Sequence, residues 1–178
     1  MSLITIFVFV VLWLNWPAVI GAIFVPTPMH IVEKMLEIAD VSENDTLIDL
    51  GSGDGRIIIE AAKKHGATTI GIEADPLRVI WSRLRVRSNG LQEKVNVVWG
   101  NFFSNDISKA TVVTVYQGQD INTKLIKKLE KELEPGTLIV SYYFTFDGWI
   151  PQKKDPETDV YLYELPLKSS STFEIHEK

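Results

Sequence analysis

The sequence predicts an α/β fold with a doubly wound, mostly parallel sheet, preceded by an N-terminal hydrophobic helix. Short apolar runs rich in Val and Ile alternate with stretches of helical periodicity between residues 45 and 165. A glycine-rich turn at residues 51–55 stands between the first such run and the helix that follows it. Strands separated by helices pair in parallel through crossover connections, so this alternation favours βαβ units over hairpins.

The chain leads into the predicted domain through the stiff segment Val-Pro-Thr-Pro at residues 25–28. Thr27 is a suitable N-cap and Pro28 suits the first helical position, so a helix begins there. A later helix opens at Asp75, and Gly90 is placed as its C-terminal stop. The predicted strands are residues 45–50, 68–73, 95–99, 110–116, 137–146, 159–165 and 171–175, and the other predicted helices are residues 56–65, 75–89 and 121–133.

Residues 3–25 form an almost wholly apolar segment, and the first charged side chain of the sequence is Glu33. As a helix this segment would be about 35 Å long, which is enough to cross a bilayer with some tilt. The sequence therefore predicts a single-pass membrane anchor at residues 1–25, followed by a domain at residues 26–178. Pro17 inside the segment also fits a helix docked on the domain or lying at the interface. A cleaved signal peptide is the third alternative, although the chain starts without the basic residue that such peptides carry.

The composition excludes several classes of site. The chain has 178 residues with 18 basic and 23 acidic side chains, a formal net charge of −5, which argues against a dedicated nucleic-acid binder. The absence of cysteine from the sequence excludes disulfides, iron–sulfur clusters and cysteine nucleophiles. The sequence contains 3 histidines, which disfavours a histidine-rich metal site, so no metal is expected.

The turn after the first predicted strand reads Asp-Leu-Gly-Ser-Gly-Asp-Gly-Arg from Asp49 to Arg56. Its glycines let the backbone turn sharply and leave room for a ligand at the carboxyl end of the strand. A dinucleotide fingerprint requires a glycine where Arg56 stands, and no Gly-Lys-Ser/Thr follows as in a P-loop. The carboxylates of Asp49 and Asp54 are poor neighbours for a pyrophosphate and favour a ligand with a cationic amino group and hydroxyls. The candidate binding residues of this turn are Asp49, Gly51, Ser52, Gly53, Asp54 and Gly55.

Two further strand ends carry candidate contacts for a nucleoside. Glu73 ends the second strand, where an acid in nucleotide-binding α/β folds accepts hydrogen bonds from ribose hydroxyls. After the third strand, Asn101 can pair with an adenine edge through its amide, and Phe102 can cover the face of the ring. An exposed strand-end acid and a loop whose aromatic residues belong to the core are the alternative interpretations.

These motifs together resemble those of class I S-adenosylmethionine-dependent methyltransferases, which have a Rossmann-like fold. The resemblance covers roughly residues 25–165. In its finer pattern the chain is similar to the small archaeal protein-lysine methyltransferases, and to the mitochondrial lysine methyltransferases that modify the c-ring protein of ATP synthase and the adenine nucleotide translocase. The segments that carry the resemblance are VPTP at 25–28, DLGSGDGR at 49–56, GIE at 71–73, GNFF at 100–103, DIS at 106–108, ATVV at 110–113, LEKELEPG at 129–136 and GW at 148–149.

The resemblance implies S-adenosylmethionine as the cofactor and assigns a role to each matching residue. It implies that three loop glycines leave room for the cofactor beside the main chain: Gly51, Gly53 and Gly55. Asp49 would then lie near the methionine amine of the cofactor, and Thr27 would help to close that end. Glu73 would hold the ribose hydroxyls, and Asn101 and Phe102 would flank the adenine.

Methyl transfer requires a nucleophile in line with the methyl group and the exclusion of water. A lysine nucleophile must also be neutral, and a desolvating aromatic pocket lowers its pKa. Tyr116, Tyr143 and Trp149 are the candidates for lining such a pocket, with core or surface positions as the alternative, and no general base is assigned. The chain departs from the archaeal pattern at residues 115–120 and 141–144, which leaves the choice of substrate open.

Two predicted helices carry rows of basic residues. The simplest interpretation is solvated helix faces with ion pairs, and contact with anionic lipid near the anchor or with RNA is the alternative. The rows consist of Arg78, Arg83, Arg85 and Arg87 on one helix and of Lys124, Lys127, Lys128 and Lys131 on the other.

The leading hypothesis is a membrane-anchored protein-lysine methyltransferase that acts on exposed lysines, including those of membrane-associated proteins. Its catalytic domain is expected to face the cytoplasm, where the cofactor is made. A methyltransferase for RNA or small molecules and a non-enzymatic cofactor-binding module are the alternatives. The acidic balance disfavours RNA, and the intact Gly53 and Glu73 disfavour the binding module.

Overall fold

The computed structural model describes residues 25–166 together with residues 2 and 5. The predicted N-terminal helix lies outside the described residues, except at residues 5 and 25, and so does the predicted strand at 171–175. Of the helices that are described, none combines the length and the apolar character needed to cross a bilayer.

The domain is built on one seven-stranded sheet with the order β3-β2-β1-β4-β5-β7-β6. The neighbouring pairs from β3 through β5 are parallel, whereas β7 runs antiparallel to both β5 and β6. This confirms the predicted α/β fold with a mostly parallel sheet. The strands are β1 Thr46–Leu50, β2 Thr68–Glu73, β3 Val95–Trp99, β4 Val112–Val115, β5 Leu138–Tyr142, β6 Lys153–Lys154 and β7 Val160–Glu164, and the helices are α1 Met29–Ile38, α2 Arg56–His65, α3 Pro76–Ser88 and α4 Gln119–Glu132.

The strand order reverses at β1, which pairs with β2 on one side and with β4 on the other. Leu50 stands beside both Ile72 and Val115 in the register, so the carboxyl ends of the three strands meet at one edge. An open α/β sheet offers a crevice for ligands at such a switch point.

Two apolar clusters cover the two faces of the sheet. One cluster packs α1, α2 and the buried stripe of α3 on the sheet, and includes the fully buried Met35 and Leu36. The other packs α4 against the opposite face and includes Phe146 and Tyr163. Burial on both faces explains why the central strands are near-continuous apolar runs.

The predicted strand at 137–146 proved too long, because β5 ends at Tyr142. The Phe144 N–H turns back onto the Tyr142 carbonyl over 2.9 Å instead of pairing with a neighbouring strand, and the Ser141 hydroxyl donates to the Phe144 carbonyl, which holds this turn. Tyr143 adopts φ 68° at this point, a left-handed conformation that ends an extended strand.

Candidate functional site

The glycine turn after β1 is tied to the neighbouring strand by its backbone. The N–H groups of Gly51 and Ser52 donate to the Ile72 carbonyl over 2.9 and 3.0 Å. Gly51 has φ 89°, and a Cβ built there would collide with the side-chain amide of Gln117. A larger residue would therefore strain the backbone and displace its neighbour, so the turn needs glycine here.

Ser52 follows in the same turn and is buried, with its side chain against Gly71 of β2. A Cβ at Gly71 would lie 2.6 Å from the Ser52 Oγ, which explains the glycine in that strand. The Ser52 Oγ has no hydrogen-bond partner within the described part of the chain. Ser52 lines the cleft described below, but its hydroxyl is buried against Gly71 and does not open onto the cleft.

Glu73 fastens the glycine turn to the start of α3. Its Oε2 accepts a hydrogen bond from the Gly53 N–H and its Oε1 accepts one from the Asp75 N–H, both over 2.8 Å. The residue is 7% exposed and lines the cleft. A carboxylate has about four acceptor positions, and these two bonds fill half of them, so Glu73 can also accept from ligand hydroxyls.

Asp49 lies at the bottom of the same cleft and is 3% exposed. Its Oδ1 accepts a hydrogen bond from the Thr114 hydroxyl over 2.8 Å. Burial raises the pKa of Asp49 to about 7, because the ionised carboxylate loses its hydration. The hydrogen bond from Thr114 lowers the pKa and so offsets part of this rise. A cationic ligand group beside this carboxyl would favour its ionised form.

Asp54 lines the cleft, but its carboxylate is already paired with two arginines of the protein. Its Oδ2 lies 2.8 Å from both the Arg56 and the Arg85 guanidinium groups. Burial would raise the pKa of Asp54, but the hydrogen bonds and charge of Arg56, aided by Arg85, lower it overall. Arg56 also donates to the Thr27 carbonyl over 2.7 Å, so this cluster ties the segment before α1 to the glycine turn. The expected pairing of Asp54 with a cationic ligand is therefore already satisfied from within the protein.

The loop after β3 supplies the third wall. Asn101 and Phe102 both line the cleft, as does Phe103, which the sequence analysis did not single out. The Asn101 Oδ1 accepts a hydrogen bond from the Phe103 N–H over 2.9 Å, which holds the loop in a turn. The two phenyl rings lie 4.8 Å apart between centroids. The loop thus offers an amide and an aromatic face, as an adenine site requires.

The three aromatic residues predicted for the acceptor pocket separate in the structure. Tyr116 lines the cleft, with its ring 4.7 Å from that of Tyr142. Tyr143 is 58% exposed and lies outside the cleft lining. Trp149 does not line the cleft, because its half-buried ring packs 4.7 Å from that of Phe146, against the apolar cluster beneath α4. The prediction that these residues line the pocket is therefore kept for Tyr116 and corrected for Tyr143 and Trp149.

Two residues missed in the sequence complete this end of the cleft, Gln117 and Phe144. The Gln117 amide donates to the Leu50 carbonyl over 2.9 Å, and so ties the loop after β4 to the end of β1. Both residues lie in the segments 115–120 and 141–144, where the chain departs from the archaeal pattern, but neither carries a motif that would have predicted its contact.

All these walls enclose one open cleft of about 550 Å³. Its lining includes Asp49, Ser52 and Glu73 around the glycine turn, and Tyr116 and Phe144 from the loops after β4 and β5. Within the described residues, no group of three or more His, Asp or Glu side chains is arranged to hold a metal ion.

The chain is similar to one family of methyltransferase domains and to several lysine methyltransferases. A sequence model of the ANTKMT methyltransferase domain matches residues 49–153. The chain is similar to a protein-lysine N-methyltransferase of Saccharolobus islandicus, with 45% identity over 149 residues that cover 80% of this chain and 92% of the relative. It is 32% identical over 157 residues to the human lysine N-methyltransferase of the ATP synthase c-ring protein, and the match covers 87% of this chain but 64% of the length of that relative.

A solved structure is similar over nearly the whole domain. It is an RNA methyltransferase from Salinibacter ruber in complex with S-adenosyl-L-homocysteine, with 46% identity and a TM-score of 0.78. The match covers 86% of this chain and 98% of that protein. A second structure with S-adenosyl-L-homocysteine, a methyltransferase from Thiobacillus denitrificans, is 20% identical with a TM-score of 0.61, covers 80% of this chain and 57% of that protein, and shares the fold.

Proposed function

The chain belongs to the ANTKMT methyltransferase domain family and is an S-adenosylmethionine-dependent methyltransferase, and from this we propose that it methylates lysine side chains of proteins. The observation that carries the acceptor class is the 45% identity with a protein-lysine N-methyltransferase over 92% of that relative. The lysine N-methyltransferases of the ATP synthase c-ring protein support the same class at lower identity.

The cleft residues fit the cofactor. Asp49 is a buried carboxyl suited to a cationic amino group, and Glu73 retains acceptor positions suited to ribose hydroxyls. Phe102, in the loop after β3, offers a ring face to the adenine. S-adenosylmethionine supplies a methyl group on a positively charged sulfur, which is already a strong electrophile.

The protein's remaining task is to bring a neutral amine to the methyl group and to keep water out. Tyr116 and Phe144 line the open end of the cleft, and the ring of Tyr142 backs Tyr116. Aromatic walls favour the uncharged form of a lysine amine, because they offer it less hydration than water does. This arrangement supports an extended side chain that enters from outside, as a lysine on a protein surface would.

RNA is the second candidate acceptor, because the Salinibacter ruber structure at 46% identity is described as an RNA methyltransferase. The net charge of −5 opposes this, since RNA binding draws on a broad basic surface. The two classes make opposite predictions about where a transferred methyl group is found.

The test uses the full chain with S-adenosylmethionine labelled on its methyl group and a lysate of its own source. Label is then followed in protein and in RNA. Acid-stable label that maps to lysine in a protein band is the expected result, and label confined to RNA would replace the proposal by the second candidate. The Glu73→Ala variant is the matched control, because label that survives this change comes from another enzyme.

We also propose that residues 3–25 anchor the chain in a membrane and that the domain faces the cytoplasm. The apolar length of the segment and the cytoplasmic source of the cofactor support this. Two separate tests apply: protease treatment of intact cells, and carbonate washing of membranes isolated from untreated cells. The expected results are a domain that is protected in intact cells and a chain that stays in the washed membrane fraction. Release by carbonate would indicate a docked helix, and loss of the N-terminal residues from the purified protein would indicate a cleaved signal.

A further inference from the structure

Helix α3 is apolar on two opposite faces. Val79, Ser82 and Val86 form its buried stripe against the sheet. Four large apolar side chains on the same helix are instead between 52% and 58% exposed. At about 100° of rotation per residue, these four fall within about 100° of each other, directly opposite the buried stripe. They are Leu77, Ile80, Trp81 and Leu84.

The exposed apolar surface continues past the helix onto the edge of the sheet. Trp99 at the end of β3 is 65% exposed, and its indole N–H donates to the Ala74 carbonyl over 3.1 Å, directly before α3. We call Leu77, Ile80, Trp81, Leu84 and Trp99 together the α3 face. These five large side chains, two of them tryptophans, form an exposed apolar patch, and such patches mark sites of interaction with a protein or a membrane.

Arginines border the α3 face on both sides. Helix α3 contains four arginines and no Asp or Glu, although the chain as a whole has a net charge of −5. On one side, Arg78 and Arg85 lie near the acids of the cofactor cleft, at 3.6 Å from Asp75 and 2.8 Å from Asp54. On the other side stand Arg83 and Arg87, both exposed.

Arg83 and Arg87 line a shallow depression of about 230 Å³ between α3 and β3. Val86, Val95 and Val97 contribute its apolar part. The Arg83 guanidinium donates twice to the Val97 carbonyl, at 2.7 and 3.1 Å, which fixes its position on the edge strand. Guanidinium groups above an apolar floor suit a phosphate that carries hydrocarbon chains.

The start of α3 borders the cleft, and the rest of the helix runs back towards the start of β3. Ala74 and Asp75, which precede α3, line the cleft, and so does Val25, which is 54% exposed. Val25 follows directly on the uncharged apolar segment of the sequence. The apolar segment of the sequence therefore joins the domain at the cleft, which the start of α3 also borders.

We propose that the α3 face docks on the surface of a bilayer that contains anionic lipid, with Arg83 and Arg87 on lipid phosphates. Exposed tryptophans and arginine borders are typical of segments that lie in the membrane interface. A second copy of the chain fits less well, because twofold pairing would bring two sets of arginines together. This contact needs neither a lysine acceptor nor the anchor.

The sequence contains no cysteine, so a single introduced cysteine can carry a nitroxide label at a chosen site. Leu84→Cys places the label on the α3 face, and Lys127→Cys places it on the exposed side of α4, across the sheet. The full chain is reconstituted with vesicles of phosphatidylcholine alone or with one quarter phosphatidylglycerol. Relaxation by oxygen, which concentrates in bilayers, is compared with relaxation by a water-soluble nickel chelate.

With phosphatidylglycerol we expect the oxygen-to-nickel ratio at Leu84→Cys to rise severalfold, while the ratio at Lys127→Cys stays constant. Adding Arg87→Glu should remove most of the rise, because it reverses one charge at the lipid contact. A nickel-accessible label at Leu84→Cys on sedimented vesicles would overturn the docking and leave the anchor intact. Shielding of that label from both reagents would also overturn it, in favour of a protein contact by the N-terminal segment or a second copy. A chain that does not sediment with either vesicle would overturn both the docking and the anchor, and the lysine assay is independent of all three outcomes.

Discussion

The two ends of the cleft are built in different ways. The cofactor end is made of backbone turns and one bridging carboxylate, with the Gly53 N–H and the Asp75 N–H both bonded to Glu73. The acceptor end is formed by the loop after β5, which side chains of α4 hold in place: Asn122 donates to the Phe144 carbonyl and Gln119 to the Thr145 carbonyl. Because the cofactor end depends on main-chain groups, its shape suits one ligand. Because the acceptor end depends on side chains, substitutions there can change the acceptor site without disturbing the sheet.

The strongest way to break the cofactor end is Glu73→Ala. The change removes the proposed ribose acceptor and leaves the Gly53 and Asp75 N–H groups unpaired in a buried place. We expect the affinity for S-adenosylhomocysteine to fall about 100-fold, roughly 2.7 kcal/mol, by calorimetry. Glu130→Ala on the exposed side of α4 is the matched control. A loss of less than threefold in Glu73→Ala would remove the ribose assignment.

Asp49 makes the cofactor end sensitive to pH. Its folded-state pKa of about 7 lies above its ordinary value of 3.8, so the stability it contributes is present at low pH and is lost as the pH rises through about 7. A cationic cofactor favours the ionised carboxylate, so its affinity should rise on the order of tenfold between pH 5.5 and 7.5. Calorimetry across this interval checks the slope, and Asp49→Asn should flatten it. An equal slope in the variant would assign the titration to another group.

The sequence was informative where local geometry is encoded by residue type. Gly51 needs a left-handed backbone and Glu73 ends a strand, and both features can be read within a short stretch of chain. Trp149 could not be placed, because its burial depends on Phe146 and on the distant Tyr163. Gln117 was missed for the same reason, since its role depends on reaching the Leu50 carbonyl across a neighbouring strand.

Gln119→Ala loosens the acceptor end and leaves the cofactor end untouched. The Gln119 amide donates to the Thr145 carbonyl over 3.1 Å and to the Asp147 carboxylate over 2.8 Å, so its loss releases the loop beside Phe144. We expect KM for the protein acceptor to rise about fivefold, near 1 kcal/mol, with cofactor affinity within twofold of the original. Lys124→Ala, exposed on the same helix, is the control. Equal losses at both ends would mean that the two are one coupled unit.

Tyr143 allows the finest test, because the acceptor loop holds it in a left-handed conformation with φ 68° while its ring lies 5.0 Å from that of Phe144. Asparagine tolerates this backbone better than tyrosine does, which offsets the lost ring contact of about 1 kcal/mol. We therefore expect Tyr143→Asn to change the free energy of unfolding by less than about 1 kcal/mol in urea. Tyr143 does not line the cleft, but its ring packs beside Phe144, which does, so we expect kcat/KM for the acceptor to fall severalfold when that support is lost. Tyr143→Phe keeps the strain and the ring, so it should match the original in both measurements. If Tyr143→Asn kept full activity, the strained turn would serve the fold of the loop and not the approach of the acceptor.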